Sequence, residues 1–162
     1  MKFVLDNTVG KLARLLRIAG FDTTYVVEND LPQVIAISRE QQRLIVSRNS
    51  RYEKLALAAD FYHVESDDPE EQFLALLSDL NLDLEENLWL SRCLECNALL
   101  ERVDKQATSG KVWPYVWATQ EKFYHCPDCD KLFWSATHVA AMREKLLELK
   151  SELDRRRRPG EP

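Results

Sequence analysis

The feature that most restricts the fold of this 162-residue chain is a set of four cysteines in two close pairs. The pairs Cys93-Leu-Glu-Cys96 and Cys126-Pro-Asp-Cys129 are separated by 29 residues. One Cys-x-x-Cys turn places two thiolates at adjacent corners of a tetrahedron, and a second turn completes it around Zn²⁺ at ~2.3 Å from each sulfur. The spacing therefore predicts a structural zinc ion in a ribbon over residues 91–136, in a closed site that stabilises folding without performing chemistry.

Other interpretations of the cysteines stay open at this point. They could form a redox pair, or they could be unrelated buried thiols. His125 and His138 are near the cysteines in sequence and could replace one thiolate as ligands, although such histidines more often lie outside the coordination sphere. A cytoplasmic location favours the metal, because the cytosol keeps thiols reduced.

The chain carries no sequence signal for a membrane or for secretion, and a cytoplasmic location is expected. Its start, MKFVLDNTVGKLARLLR, contains Asp6 and several basic residues. It lacks the continuous apolar stretch and the small-residue cleavage site of a signal peptide. No apolar run approaches the ~20 residues that a membrane-spanning helix needs.

Charge is distributed unevenly along the chain. Residues 1–58 have a net charge of +3, residues 60–90 of -10, and residues 91–162 of +2. The overall acidity argues against a protein that covers DNA with high affinity and without sequence preference. It does not exclude a nucleic-acid partner, because binding depends on a local basic face. The acidic segment 60–90 is also a candidate surface for a protein partner.

Hydrophobic patterns predict an α/β fold in the first half of the chain. The runs 2–6, 23–27 and 43–47 read KFVLD, TTYVV and RLIVS, which is the composition of buried strands. The segments between them have apolar residues at helical spacing, the first over about 9–19. The order β-α-β-α-β predicts a parallel sheet flanked by helices.

Three segments are expected in total. An α/β domain over residues 1–90 precedes the ribbon over 91–136. A C-terminal helix from about 137 to 153 and a basic tail make up residues 137–162.

Acidic and amide side chains follow the predicted strands. Asp6 ends the first strand, Asp30 follows the second, and Asn49 follows the third. Ligands of open α/β sheets collect at the carboxyl ends of the strands. Such side chains could hold Mg²⁺ or Mn²⁺ and position water for attack on a phosphodiester. The alternative is that Asp6 and Asp30 only cap the helices that follow them.

Basic residues near this edge could contact the phosphates of a nucleic acid. They are Lys11, Arg14, Arg17 and Arg48. The alternative is that they form the solvated face of amphipathic helices.

Three blocks of this sequence resemble the Mut-seven C-terminal RNase domain family. They are FVLDNTVGKLARLLRIAGFDT, IAISREQQRLIVSRN, and SRCLECNALLE with the later HCPDCDKLFWSATH. The resemblance runs from about residue 2 to 146. The resemblance implies a PIN-like α/β nuclease fold, followed by a small zinc ribbon. It also implies metal-dependent cleavage of RNA, with Asp6 as a metal ligand and Asp30 near a family acid.

The chain departs from the family pattern at the end of the third strand. Asn49 stands where the family has an acid, and Ser47 where it has threonine. An asparagine oxygen can coordinate a metal but brings no negative charge. We therefore expect weaker binding of the catalytic metal than in the family pattern.

Two further functions compete with a metal-dependent ribonuclease. The first is a catalytically weak RNA- or ribosome-associated module in which ribbon aromatics stack on unpaired bases. The candidates are Trp113, Tyr115 and Trp117, and the alternative is that they form the small core of the ribbon. The second is an adaptor that binds proteins through the acidic segment 60–90.

Overall fold

The computed structural model describes residues 1–55, 61–135 and 137–158. Its first part is an α/β unit in which strands and helices alternate. The strands are β1 (Lys2–Leu5), β2 (Asp22–Tyr25), β3 (Leu44–Ser47) and β4 (Phe61–His63). The helices are α1 (Gly10–Ile18), α2 (Leu31–Gln41), α3 (Arg51–Leu55) and α4 (Pro69–Asp79).

The second part is a small antiparallel sheet with a long helix after it. Its elements are β5 (Glu101–Val103), α5 (Pro114–Thr119), β6 (Phe123–Cys126), β7 (Lys131–Trp134) and α6 (Thr137–Arg157). The strand order is β5-β6-β7, and both pairings are antiparallel. In the described residues no helix, α6 included, has the length and apolar character needed to cross a membrane.

The first sheet is parallel throughout, with strand order β2-β1-β3-β4, which confirms the fold class predicted from the sequence. Phe3, Val4 and Leu5 of β1 are fully buried. Because successive side chains of a strand point to opposite faces, they enter two cores. Phe3 and Leu5 join the larger core with α1, α4 and α6, and Val4 joins a smaller core with α2 and α3.

A left-handed turn ends α1 and sends the chain into β2. Gly20 has a φ of 92°, and the N–H of Phe21 donates to the carbonyl of Leu16 at 2.9 Å, as in a Schellman motif. A Cβ at position 20 would lie 2.3 Å from the carbonyl oxygen of Leu88. Glycine is thus required at position 20 for two reasons: the positive φ of the turn and the close approach of the Leu88 backbone.

Helix α6 belongs to the larger core and is longer than the sequence predicts. Leu146, Leu149 and Leu153 are buried there beside α4. The expected end at about residue 153 is wrong, because the helix continues to Arg157. Residues 159–162 of the expected basic tail lie outside the described residues.

Ion pairs with α6 account for part of the acidic segment 60–90. Four of its carboxylates pair with basic side chains of α6 at 2.7 Å: Glu70 with Lys145, Glu71 with Arg156, Asp83 with Arg157, and Glu86 with Lys150. A protein partner at this segment stays a prediction, and such a partner would compete with α6 for these charges.

Candidate functional site

The four cysteines form a compact cluster of a size that suits zinc. Their sulfur atoms all lie within 4.8 Å of one another, with 4.0 Å between Cys93 and Cys129 and 3.3 Å between Cys96 and Cys126. A tetrahedron with ~2.3 Å metal–sulfur bonds has edges of about 3.8 Å, whereas a disulfide requires about 2.05 Å. The arrangement can therefore bind a zinc ion, and the cysteines are not paired as disulfides.

Each cysteine pair lies in the same kind of turn. The N–H of Asn97 donates to the carbonyl of Cys93 at 3.0 Å, and that of Asp130 to the carbonyl of Cys126 at 2.9 Å. Both residues have positive φ, 75° and 53°, a conformation that Asn and Asp adopt more readily than other residues with side chains. The residue after each second cysteine thus bends the chain so that both sulfurs face the same point.

Neither nearby histidine belongs to the cysteine cluster. The Nε2 atom of His125 lies 2.8 Å from Oδ1 of Asp130, and His138 is exposed. Among the residues that the structure describes, the cysteines are also the only group of three or more His, Cys, Asp or Glu side chains close enough to share a metal.

The first cysteine turn is fixed to the edge of the parallel sheet by Asn97. Its Oδ1 atom accepts the N–H of Thr23 on the edge strand β2 at 2.9 Å, and its Nδ2 donates to Asp22 at 2.8 Å. Asp22 also pairs with Arg43 at 2.6 Å. Burial alone would raise the pKa of Asp22, but the hydrogen bonds from Arg43 and Asn97 outweigh it and hold that pKa below its ordinary value. The ribbon therefore docks at the amino end of the strands.

Arg17 also joins the ribbon to the sheet, and its expected role in RNA binding stays a prediction that its burial disfavours. The side chain is buried, and its guanidinium donates at 2.9 Å to the carbonyls of Thr23, Leu94 and Glu95. Burial lowers the pKa of Arg17, and the neighbouring Cys96 and Cys93 partly offset this effect. The Nε and Nη1 donors of this guanidinium are therefore occupied by backbone carbonyls.

Asp6 lies at the opposite end of the sheet, where the strands end at their carboxyl side. It is 2% exposed. Its Oδ1 accepts the N–H of Thr8 at 3.0 Å and the hydroxyl of Thr8 at 2.6 Å, while Oδ2 accepts the hydroxyl of Ser47 at 2.6 Å. These bonds use three of the about four acceptor places of a carboxylate, and the hydroxyl of Tyr52 lies close enough to bond to Asp6 as well.

The two hydroxyls that donate to Asp6 are themselves oriented by the backbone. The N–H of Arg48 donates to Thr8 at 3.1 Å, and the N–H of Asn49 donates to Ser47 at 2.9 Å. Each hydroxyl therefore directs its own proton to the carboxylate. Sequence analysis missed Thr8, although a hydroxyl two residues after an aspartate is a usual partner in such a turn.

Asp6 caps the 3-10 helix Asn7–Val9 and Asp30 caps α2, as the alternative interpretation proposed for both, while Asn49 accepts a similar bond at the start of α3. Asp30 is exposed and accepts the N–H of Gln33 at 2.9 Å, and Asn49 accepts the N–H of Arg51 at 3.1 Å. Each cap uses one side-chain oxygen. The second carboxylate oxygen of Asp30 remains available to a ligand.

Sequence analysis also missed Tyr52 at this edge. Its hydroxyl is buried and makes no hydrogen bond of good geometry in the described residues. Burial raises the pKa of Tyr52, and the charge of Asp6, a hydrogen bond to Asp6 and the charge of Asp30 raise it further, so the hydroxyl lies beside Asp6. The only signal in the sequence is its position three residues after Asn49, in the first turn of α3.

The remaining basic candidates are on the surface. Lys11 and Arg14 are exposed on α1, three residues apart and therefore on one face. Arg48 is also exposed and forms an ion pair with Asp67. The series Lys11, Arg14, Arg17 thus divides into two exposed side chains and one buried one.

The ribbon carries an open groove lined by aromatic side chains. The groove encloses about 950 Å³ between the loop 110–114 and the β6–β7 hairpin, including Phe133 and Trp134. Trp113 lines it and is 77% exposed, as is Tyr115 nearby. Trp117 instead packs within the ribbon, where its Nε1 donates to the carbonyl of Lys105 at 3.2 Å.

Comparison with known proteins identifies a family that matches most of this chain. The family described as Mut7-C RNAse domain matches residues 1–146. This range includes the parallel sheet, the four cysteines and the first half of α6. It also includes the carboxyl edge of the sheet with Asp6, Asp30 and Asn49, here called the acidic edge. No curated protein and no solved structure matched the chain.

Proposed function

We propose that this chain, which belongs to the Mut7-C RNAse domain family, is a metal-dependent ribonuclease that hydrolyses phosphodiester bonds of RNA. The family suggests a nuclease-like function on RNA. The observation that carries the proposal is Asp6, a buried carboxylate at the carboxyl edge of the sheet that is oriented by Thr8 and Ser47.

The donors at this edge fit a hydrated divalent cation better than a fully protein-bound one. Mg²⁺ usually binds through one or two carboxylates and keeps several waters. Asp6 and Asp30 would supply the carboxylates, and Asn49 an amide oxygen. Mg²⁺ or Mn²⁺ bound there would neutralise charge that develops on a phosphate. The zinc ion of the ribbon has a separate, structural role.

RNA would approach along the exposed basic side chains beside Asp6. Lys11 and Arg14 can contact backbone phosphates directly. Arg48 can do so after exchanging its ion pair with Asp67, which costs little because exposed ion pairs are weak.

The test is cleavage of a labelled single-stranded RNA in Mn²⁺ or Mg²⁺. Wild type should cleave it, and Asp6→Asn should lower the rate by roughly 100-fold or more, since a bound metal stabilises the transition state by several kcal/mol. Asn49→Asp should increase the rate at limiting metal, because it adds a negative charge beside the cation.

Glu40→Gln is the matched control, because it also removes one acidic charge but from an exposed position near the far end of α2. It should cleave like wild type. If wild type, Asp6→Asn and Asn49→Asp are all inactive while folded and zinc-loaded, the ribonuclease proposal is wrong.

A second candidate function is an RNA- or ribosome-associated binding module centred on the ribbon. The groove around Trp113 supports it, because an exposed aromatic can stack on an unpaired base. Lys111 and Lys131 border the same groove and could contact the backbone. This function would not require Asp6.

Trp113→Ala should weaken binding of single-stranded RNA by about 1–3 kcal/mol if one base stacks there. Fluorescence anisotropy at low salt measures the effect. Leu99→Ala is the control, since it removes an exposed apolar side chain from the ribbon that is not aromatic. Equal binding by wild type and Trp113→Ala would exclude stacking at Trp113.

A further inference from the structure

His63 is the last residue of β4, the strand at one edge of the parallel sheet. In the parallel pairing of β3 with β4, it lies opposite Ser47. On the other side of Ser47 is Asp6, which follows β1 and accepts the Ser47 hydroxyl at 2.6 Å. Asp6, Ser47 and His63, here called the strand-end row, therefore lie side by side at the carboxyl ends of three neighbouring strands.

The side chains of the strand-end row are on one face of the sheet. Side chains two residues apart in a strand point to the same face. The side chains two residues before the row all pack in or against the smaller core: Val4, Ile45 and Phe61. The ring of His63 agrees with this direction, because its centroid lies 6.0 Å from that of Phe61 in an edge-to-face contact. The imidazole is thus on the same face as Asp6.

The imidazole of His63 is close to the acidic edge and available to a ligand. Neighbouring strands are ~4.8 Å apart, so the Cα atoms of His63 and Asp6, two strands apart, are separated by about 10 Å. A side chain that crosses part of this distance can contact a group bound next to Asp6. His63 is exposed, and its ring makes no hydrogen bond and no ion pair among the described residues.

The chemistry of the strand-end row fits a phosphate as the ligand of His63. An imidazole has at least one N–H donor in either tautomer, whereas a carboxylate only accepts. Donors to phosphate oxygens form strong, charge-assisted hydrogen bonds. Lys11 and Arg14 are on α1, which packs on the opposite face of the sheet. His63 therefore supplies a donor on the side of Asp6 that these two basic residues do not cover.

We infer that His63 binds a phosphate of the RNA backbone beside Asp6, through an N–H of its imidazole. The inference rests on the proposed function for RNA as the ligand. It extends the RNA-binding surface from α1 across the ends of β1 and β3 to β4, so that the backbone of the RNA crosses the strand-end row. His63 is then a substrate-binding residue and does not hold the cation.

The test compares a labelled single-stranded RNA with zinc-loaded wild type, His63→Leu and His63→Gln in Mn²⁺. Fluorescence anisotropy gives the Kd where the RNA stays intact, and steady-state cleavage gives KM where it does not. His63→Leu removes the donor, so Kd or KM should rise roughly tenfold or more, as for a hydrogen bond to a charged group. His63→Gln should retain most of the affinity, because its amide keeps an N–H donor.

Three further measurements separate a contact with RNA from other roles of His63. In His63→Leu, kcat should change little, because the contact is made equally in bound RNA and in the transition state. Its binding of Mn²⁺ without RNA, measured by electron paramagnetic resonance, should equal that of wild type. Its stability to urea should also stay close to that of wild type, since the side chain is exposed.

His138→Leu is the matched control. It also replaces an exposed histidine, but at the start of α6, after the ribbon. Its Kd or KM for the RNA should equal that of wild type.

The outcomes distinguish the inference from the ribonuclease proposal. Weaker RNA binding by His63→Leu than by His63→Gln, with no cleavage by any variant, supports the inference and contradicts the enzyme. Cleavage by wild type with an unchanged KM in His63→Leu does the reverse. Equal losses in His63→Leu and His63→Gln, or the same loss in His138→Leu, also overturn the inference, because binding would not depend on the N–H donor of His63. If wild type neither binds nor cleaves the RNA, both are wrong.

Discussion

Replacing Cys126 with serine should abolish zinc binding and unfold the ribbon. Four sulfurs within 4.8 Å define the site, and β5, β6 and β7 are only three or four residues long. Structural zinc sites contribute about 10–16 kcal/mol of apparent binding free energy, which is folding free energy in a domain this small. Atomic absorption would measure the zinc per chain, and circular dichroism the loss of the ribbon.

His125→Ala is the control for this experiment. Since His125 bonds to Asp130 and lies outside the cluster, the variant should retain one zinc per chain. Zinc loss in His125→Ala, or full retention in Cys126→Ser, would mean that a histidine completes the coordination.

Arg17→Met should lower the free energy of unfolding by about 1–3 kcal/mol. Methionine keeps much of the volume but removes the donors to the carbonyls of Thr23, Leu94 and Glu95. The bond to Thr23 is buried, and a buried acceptor that loses its partner costs about 1–3 kcal/mol, whereas water can replace the donor at the part-buried carbonyls of Leu94 and Glu95. Urea unfolding of the zinc-loaded protein would measure the change.

Arg14→Met is matched to it, because it removes the same group one turn earlier on the exposed face of α1. Its stability should lie within about 0.5 kcal/mol of wild type, as for most surface substitutions. If Arg17→Met were as stable as wild type and bound RNA more weakly, Arg17 would be a phosphate contact after all.

The fold and the cysteine cluster were predictable because their signals are local. A Cys-x-x-Cys turn fixes two sulfurs within four residues, and the alternation of apolar strands with helical segments predicts a parallel sheet flanked by helices. The C-terminal end of α6 was not predictable in this way. Arg156 and Arg157 are held in helical form by partners in another element, among them Glu71, which is 85 residues away.

The acidic edge was predictable only in part. The sequence predicts that Asp6 lies at the carboxyl edge of the sheet, because it directly follows the first strand. The directions of the neighbouring side chains depend on packing, which the sequence pattern does not show. Arg17 has the same spacing as Lys11 and Arg14, and only the docked ribbon distinguishes it. Tyr52 likewise looks like an ordinary helical aromatic until α3 places its hydroxyl beside Asp6.

The place of α6 in the larger core fixes the order in which this protein can complete its folding. Leu146, Leu149 and Leu153 close a core whose other buried members lie between Phe3 and Trp89. During synthesis the strands of the sheet are made long before the helix that covers them. The apolar face of the sheet therefore stays uncovered until α6 is made, because its contacts with α6 join residues far apart in the sequence. The ribbon is made in the interval and can take its metal first. Closure of the core by α6 is then the last folding step, and a chain stopped before residue 146 would expose an aggregation-prone surface.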